Sequence, residues 1–195
     1  MASLLDFIKP SKVIDVGCGS GHWLFHFQKG GATVFGIDVC EEMLVRAKQH
    51  CSLSGRLALG DAEHLPIRSK TADLVLCSMA LGYFRDVKKA FHEFARVAAR
   101  GAYIAISDLH PAAISAGWTR SFRARGVSYE IDHICHSLAE IDEAGHCAGL
   151  RNLFRQTAYL GQPELAIFQR NGKAKVFTEV SETPALYLHT WKKPC

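Results

Sequence analysis

Three carboxylates and a run of glycines are the residues best suited to chemistry in this chain. Asp15 stands two positions before Gly17-Cys18-Gly19-Ser20-Gly21, and Asp38 and Asp61 follow at the ends of later apolar runs. The glycine run continues from the apolar Val13-Ile14-Asp15-Val16 and leads into Trp23 to Lys29, where Trp23, Leu24 and Phe27 recur at helical spacing. A buried strand that breaks into a glycine loop and then a helix N-terminus makes a cradle for a nucleotide-like ligand. Gly17 serves the tight turn, Gly19 the close approach of a ligand, and Gly21 the packing of helix on strand. The spacing is G-x-G-x-G, not G-x-G-x-x-G. A carboxylate at Asp15 would repel a pyrophosphate laid over the loop, so the ligand should bring positive charge instead.

Ala32 to Ile37 reads as a second buried strand, with Asp38 at its C-terminal end. A doubly wound fold places there the acid that accepts hydrogen bonds from both hydroxyls of a ribose. The bland alternative is a helix N-cap for Glu41 to Gln49. Asp61 sits in Gly60-Asp61-Ala62-Glu63-His64-Leu65-Pro66, where an ordinary turn former is the competing role.

Together these residues resemble the motifs of the class I S-adenosylmethionine (SAM)-dependent methyltransferases, whose first motif is an acid followed by G-x-G-x-G. SAM has an ammonium and a sulfonium and no phosphate, which matches Asp15. The resemblance implies SAM as cofactor and S-adenosylhomocysteine (SAH) as product, with Asp15 orienting the methionine end. Asp38-Val39-Cys40-Glu41-Glu42-Met43-Leu44 looks like the family's second-strand signature, in which the Met region packs against adenine. Asp61-Ala62-Glu63-His64-Leu65-Pro66 is similar to its D-A-x-x-L-P turn, where the acid accepts from the adenine amine and the next N–H meets the ring. The cofactor set expected on this basis is Asp15, Gly17, Cys18, Gly19, Gly21, Asp38, Val39, Met43, Asp61, Ala62 and Cys77. Asp108-Leu109-His110-Pro111 resembles the D-x-H-P of the methyltransferase type 11 branch that includes the ubiquinone and menaquinone C-methyltransferases. The likeness runs from Val13 to about Pro111, roughly half of the chain.

Methyl transfer is an in-line displacement in which the protein aligns the reacting atoms and excludes water. A base is needed only when the acceptor must lose a proton. His110 is the candidate base, since a neutral imidazole is available near pH 7; bracing of the Asp108–Pro111 turn is the alternative. Met79, Tyr83, Asp108, Trp118, Tyr129 and His133 are the expected acceptor pocket. Tyr83, Trp118 and Tyr129 read as aromatic walls, and His22 and Trp23 as packing residues. The [D/N/S]-P-P-[Y/F] motif of nucleic-acid amino-methyltransferases and glutamine methyltransferases does not occur after the fourth strand, where the chain has Cys77-Ser78-Met79-Ala80-Leu81-Gly82-Tyr83. Arg120, Arg123 and Arg125 form either a solvated face or a grip on an anionic substrate.

The elements that must hold these groups follow from periodicity. Arg56 to Leu59 and Ala72 to Met79 read as the third and fourth strands, Asp86 to Arg100 as an amphipathic helix stopped by Gly101, and Ala102 to Ser107 as the fifth strand. Trp118 to Phe122 and Val127 to Ile131 alternate and predict a β-hairpin. It would lie within an insertion over 112–136 that covers the substrate. Ser137 to Glu140 is a capping box for a helix reaching about Gly149. Leu153 to Leu160 and Ala185 to Trp191 supply the last strands, with Gly161 to Lys175 a surface excursion between them. The family resemblance implies the arrangement, an α/β fold: one Rossmann-like, doubly wound domain over 1–195, with seven strands in the order 3-2-1-4-5-7-6. Leu4, Leu5, Phe7 and Ile8 suggest a brief amphipathic turn stopped by Pro10.

Composition narrows the partners. The 195 residues are 48% hydrophobic and 22% charged, a globular profile with no apolar run long enough for a membrane span. Met1 to Lys12 lack a signal-peptide pattern, so a cytoplasmic location is expected. A net charge of +4 without a dense Lys/Arg stripe makes nucleic acid an unexpected partner. Seven cysteines without C-x-x-C predict reduced thiols. The His133, Cys135, His136, His146 and Cys147 cluster fits no standard metal spacing, so no metal is expected. The expected partner is a small molecule, with a homodimer as one way to cover the pocket. The rival readings are an RNA or protein methyltransferase, a non-catalytic SAM- or SAH-binding subunit, and a dinucleotide oxidoreductase.

Overall fold

Why the cofactor residues come together is answered by the sheet. A computed structural model describes residues 8–50 and 56–195; Leu4, Leu5, Phe7 and Cys51 lie outside them. The strands are β1 (Lys12–Val16), β2 (Thr33–Asp38), β3 (Leu57–Leu59), β4 (Ala72–Ser78), β5 (Ala98–Leu109), the hairpin pair β6 (Arg120–Ala124) and β7 (Val127–Ile131), β8 (Arg151–Ala158) and β9 (Leu186–Lys192). Seven of them form one sheet in the order β3-β2-β1-β4-β5-β9-β8, and β6 pairs only with β7. With the hairpin set aside, this is the doubly wound order expected from the sequence. β3 to β5 run parallel, and β9 enters antiparallel between β5 and β8.

The helices are α1 (His22–Lys29), α2 (Glu41–His50), α3 (Val87–Val97), α4 (Pro111–Ser115), α5 (Leu138–Cys147), α6 (Gln162–Arg170) and α7 (Ala174–Val180), with a 3-10 turn at Leu81–Tyr83. Strand alternation divides the core between the two faces of the sheet. One face packs Ile14, Val75, Cys77 and Ile104 with Phe91 and Phe94 of α3, Ile141 of α5 and Trp191 of β9. The other packs Val13, Val34, Leu74 and Leu76 with Leu24 and Phe27 of α1. Each fully buried side chain of this size contributes about 1.5–3 kcal/mol.

Three elements differ from the sequence expectation. The helix expected over 86–100 ends at Val97, because Ala98 turns extended (φ −65°, ψ 136°) and pairs with Ala72. Gly101, at φ +74°, therefore does not stop a helix. It shifts the register of β5 from Ala72↔Ala98 to Leu74↔Tyr103, a bulge that needs the left-handed backbone. The excursion over 161–175 folds into α6 and α7, joined through an edge-to-face contact of Phe168 with Phe177. The hairpin starts two residues later than expected, with Arg120↔Ile131, Phe122↔Tyr129 and Ala124↔Val127 as cross-strand pairs on one face. Arg125 and Gly126 both take positive φ, as a two-residue type I′ turn requires. Among the described residues, no helix is long and apolar enough to cross a membrane.

Candidate active site

The parallel strands reverse their order between β1 and β4, and a cleft of about 640 Å³ opens at their C-terminal ends. That is where doubly wound sheets bind ligands, and the volume suits a small organic molecule. The loop Gly17–Gly21 forms its floor. Gly17 and Cys18 donate their N–H groups to the Ile37 carbonyl at 2.8 and 3.1 Å, which fastens the loop to β2. Gly17 has φ +70°, and a Cβ there would stand 2.4 Å from the Ala80 Cβ, so only glycine fits.

Asp38 ties the second wall to the first. Its Oδ2 accepts from the Gly19 N–H at 2.7 Å and its Oδ1 from the Cys40 N–H at 2.9 Å. Asp38 lines the cleft, and its Oδ1 serves the turn at Cys40 ahead of α2 instead of the N-cap weighed from the sequence. Val39 and Met43 project beside it as an apolar rim, 70% and 37% exposed. Gly60 and Ala62 close the far side, whereas Asp61 is exposed and its Oδ1 accepts from Glu63 N–H at 2.9 Å, as a turn former does.

Asp15 is the electrostatic anomaly. It lines the cleft while only 1% exposed, and neither carboxylate oxygen has a hydrogen-bond partner among the described residues. Burial first, and the neighbouring Asp38 carboxylate second, push its pKa up to about 7. A buried carboxylate without a donor is costly, and a cationic ligand group in the cleft would offset that cost. This orphaned acid, with the open space over Gly19, fits the ammonium-bearing end of SAM. Cys77 departs from expectation: alternation along β4 turns it into the core, fully buried, and the cleft receives Ser78 instead. Gly21 begins α1 behind the loop.

The acceptor end is apolar. Met79, Tyr83, Phe84 and Ile131 wall it, and Ile131 comes from the hairpin. Met79 holds a left-handed backbone, φ +59°, fixed because its N–H donates to Ser107 O at 2.7 Å and its carbonyl accepts from Arg120 Nη1 at 2.6 Å. Such an outlier in a non-glycine residue is stored where surrounding structure over-determines it. Asp108, Trp118, Tyr129 and His133 were expected in this pocket, and none of them lines it. Asp108 is buried, accepts from Gly82 and Leu109 N–H groups at 3.0 and 2.6 Å, and pairs with Arg120. His133 borders a separate small cavity with Asp108, Arg120 and His136. Tyr129 stacks on Phe122 out on the hairpin.

His110 lies outside the cleft lining as well. Its Nδ1 accepts from Ala112 N–H at 3.1 Å and caps α4, with Pro111 in the first turn. Burial, with Arg155 nearby, lowers its pKa and keeps the ring neutral, as this acceptor role requires. The arginines do not act as a cluster: Arg120 is almost wholly buried against Asp108, while Arg123 and Arg125 are exposed. Sequence reasoning missed Trp23, Ser78, Ala80, Phe84 and Ile131 as cleft residues. Only Trp23 had a local signal, its place just after the glycine loop. Among the described residues no group of three or more metal-type ligands assembles.

Known proteins agree with this geometry. Residues 14–106 match the methyltransferase domain family. That match, with the fold, supports a class I, SAM-dependent methyltransferase. It is 38% identical over 102 residues to a malonyl-[acyl-carrier protein] O-methyltransferase of Hamiltonella defensa, a match over 52% of this chain and 39% of that protein. A protein of the same description from Yersinia pestis is 34% identical over 97 residues, covering 50% and 36%. The matched stretch thus spans well under half the length of these relatives. A SAM-dependent methyltransferase from Mesorhizobium loti has the same fold, with a TM-score of 0.74 over 98% of this chain and 96% of that one, at 20% identity. Family and fold together imply SAM as the cofactor.

Proposed function

We propose that this methyltransferase transfers the methyl group of SAM to an ionised oxygen, the carboxylate of a small acid or of its carrier-bound form. The observation that carries this reading is the division of the cleft: an orphaned buried acid at one end, and at the other Met79, Tyr83, Phe84 and Ile131, with no carboxylate or imidazole beside them among the described lining residues. SAM, when bound, supplies an electrophilic methyl on a sulfonium. Asp15 receives the ammonium of its methionine end, Asp38 the ribose diol, and Asp61 with the Ala62 backbone the adenine edge. Met43 and Val39 pack the base.

At the acceptor end, Met79, Tyr83, Phe84 and Ile131 orient the acceptor and exclude water. Asp108 is held in its ion pair and His110 in its cap, and His133 borders the adjoining cavity, not the cleft. His22 lines the cleft at the start of α1, beside the glycine loop. A nucleophile that carries no proton to lose suits such a site, and a carboxylate is ionised at neutral pH. The malonyl-[acyl-carrier protein] O-methyltransferases similar to this chain point to the same acceptor chemistry.

The test is twofold. Calorimetry should show SAH binding that Asp38→Ala abolishes. With saturating SAM, mass spectrometry should find methyl esters of malonyl thioesters or monocarboxylic acids, at a rate level between pH 6 and 8. Methylation only of phenols or amines, with a rate rising tenfold per pH unit, would replace the carboxylate reading with a base-dependent one.

A further inference from the structure

The hairpin carries an apolar face beyond the one residue, Ile131, that it gives to the cleft lining. Its first cross-strand pair, Arg120 and Ile131, points into the protein: Arg120 to Asp108 and the Met79 carbonyl, and Ile131 to the cleft. Strand alternation aims the next pairs, Phe122 with Tyr129 and Ala124 with Val127, toward the same side. Yet Phe122, Tyr129 and Val127 are about half exposed, and the two aromatic rings lie stacked at 5.2 Å with 15° between their planes. The opposite face carries Ser121, Arg123, Ser128 and Glu130. The hairpin is therefore a one-sided apolar ribbon whose exposed face continues outward from Ile131 at the cleft.

Its root does not swing freely. Arg120 is held by the Asp108 carboxylate and the Met79 carbonyl, and its guanidinium lies over the Tyr83 ring at 4.7 Å. Ile134 N–H donates to the Gly82 carbonyl at 2.7 Å on the far side of the strand pair. The apolar face is thus continuous with the acceptor wall through Ile131, and it extends roughly 14 Å to Val127 at about 3.4 Å per residue. Exposed apolar strips joined to a ligand cleft mark where a ligand continues outward.

Building on the acceptor reading above, we propose that the face formed by Phe122, Tyr129 and Val127 binds the apolar tail of a chain-like acceptor, an acyl group, whose carboxylate enters the cleft past Ile131. The acceptor is then long and apolar behind its reacting end, and the hairpin selects for length. A second copy of this chain is the rival occupant of the same face.

The test uses sodium decanoate and sodium acetate as probes on the SAH-saturated protein, with calorimetry as readout. Decanoate should bind measurably and acetate should not. The double variant F122S/Y129S should weaken decanoate at least tenfold while SAH affinity stays unchanged, which also reports that the protein is folded. Phe122→Leu should restore most of the loss, and Arg123→Ser, on the opposite face, should have no effect. Equal decanoate affinity in wild type and double variant, or no decanoate binding at all, overturns the proposal. So does a dimer in sedimentation that the double variant dissolves. Failure of SAH itself to bind would instead overturn the reading of the cleft.

Discussion

The two halves of this chain meet at one cleft but are held there by different means. In the first half, backbone does the holding. β1 and β4 are buried along nearly their whole length, and the glycine loop is fixed by N–H groups donated to Ile37 O and Asp38. In the second half β9 and β8 join the same sheet by backbone pairing, but the hairpin is held by side chains. Every residue of β7 is exposed, β8 is exposed at all but one position, and the hairpin is anchored through Arg120. The cofactor half is thus a rigid cradle, while the acceptor half is an attachment whose shape can vary without disturbing the sheet.

The sharpest way to break that contrast is to compare one glycine from each half. Gly17→Ala combines a left-handed backbone with a Cβ placed 2.4 Å from that of Ala80. Strain and overpacking together should cost about 4 kcal/mol. Gly126→Ala, at φ +80° with nothing within 4 Å, should cost only about 1 kcal/mol. Urea midpoints of the two variants check this. Equal losses would mean that the loop repacks easily and is no cradle.

The same contrast explains what was legible in the sequence. Asp15, Gly17, Gly19 and Asp38 are backbone-positioned at strand ends, so their spacing along the chain already encodes their place in space. The strands and the hairpin followed from apolar periodicity, and the sheet order from the family resemblance. Ile131 could not be read as a cleft residue, because its position depends on Arg120 reaching Asp108 and Met79 across 12 and 41 residues. Cys77 was misplaced for a simpler reason: a one-residue shift along a strand exchanges core for cleft. Gly101 read as a helix stop because a bulge and a C-cap ask for the same residue type.

Cutting the anchor comes next in size. Arg120→Ala leaves the Asp108 carboxylate buried without its cation, which should cost about 3 kcal/mol. Hydrogen exchange should then speed up across residues 120–134 while β1 and β4 keep their protection. Uniform loosening of the whole sheet would show that the hairpin belongs to the core after all.

The halves should also respond to pH with opposite signs. Asp15 in the folded, ligand-free protein holds its proton up to about pH 7 against an ordinary value of 3.8, so stability falls as pH rises through that interval. His189 of β9 is buried and, despite the Asp142 carboxylate, is lowered to about 4, so its contribution is lost as pH falls from 6.5 toward 4. Each slope is at most about 1.4 kcal/mol per pH unit. Between pH 4.5 and 6.5, urea midpoints of Asp15→Asn should climb more steeply with pH than those of wild type, and those of His189→Gln should climb less. SAH, if its ammonium pairs with ionised Asp15 and the proton is released to solvent, should bind about tenfold more tightly at pH 8 than at pH 6. Asp15→Asn should lose that dependence, and an unaltered dependence would dissociate the acid from the cofactor.

The smallest effect concerns His110, whose motif reads as catalytic and whose geometry reads as a cap. Loss of the Ala112 N–H···Nδ1 bond in His110→Ala should cost about 1 kcal/mol, and His110→Asn should recover it, because asparagine caps a helix equally well. The imidazole accepts that bond only when neutral, and its pKa is lowered by burial and by Arg155. The cap is therefore complete above pH 6.5 and weakens as the pH falls below it, so the wild-type advantage over His110→Ala should shrink toward pH 5. SAH affinity should be the same in all three proteins, since the ring does not line the cleft. Turnover then decides between the two roles. If His110→Asn keeps wild-type stability but methylates a carboxylic acid more than a hundredfold more slowly, the imidazole acts on the acceptor. If rate follows stability through the series, His110 only sets the course of the chain from β5 into α4.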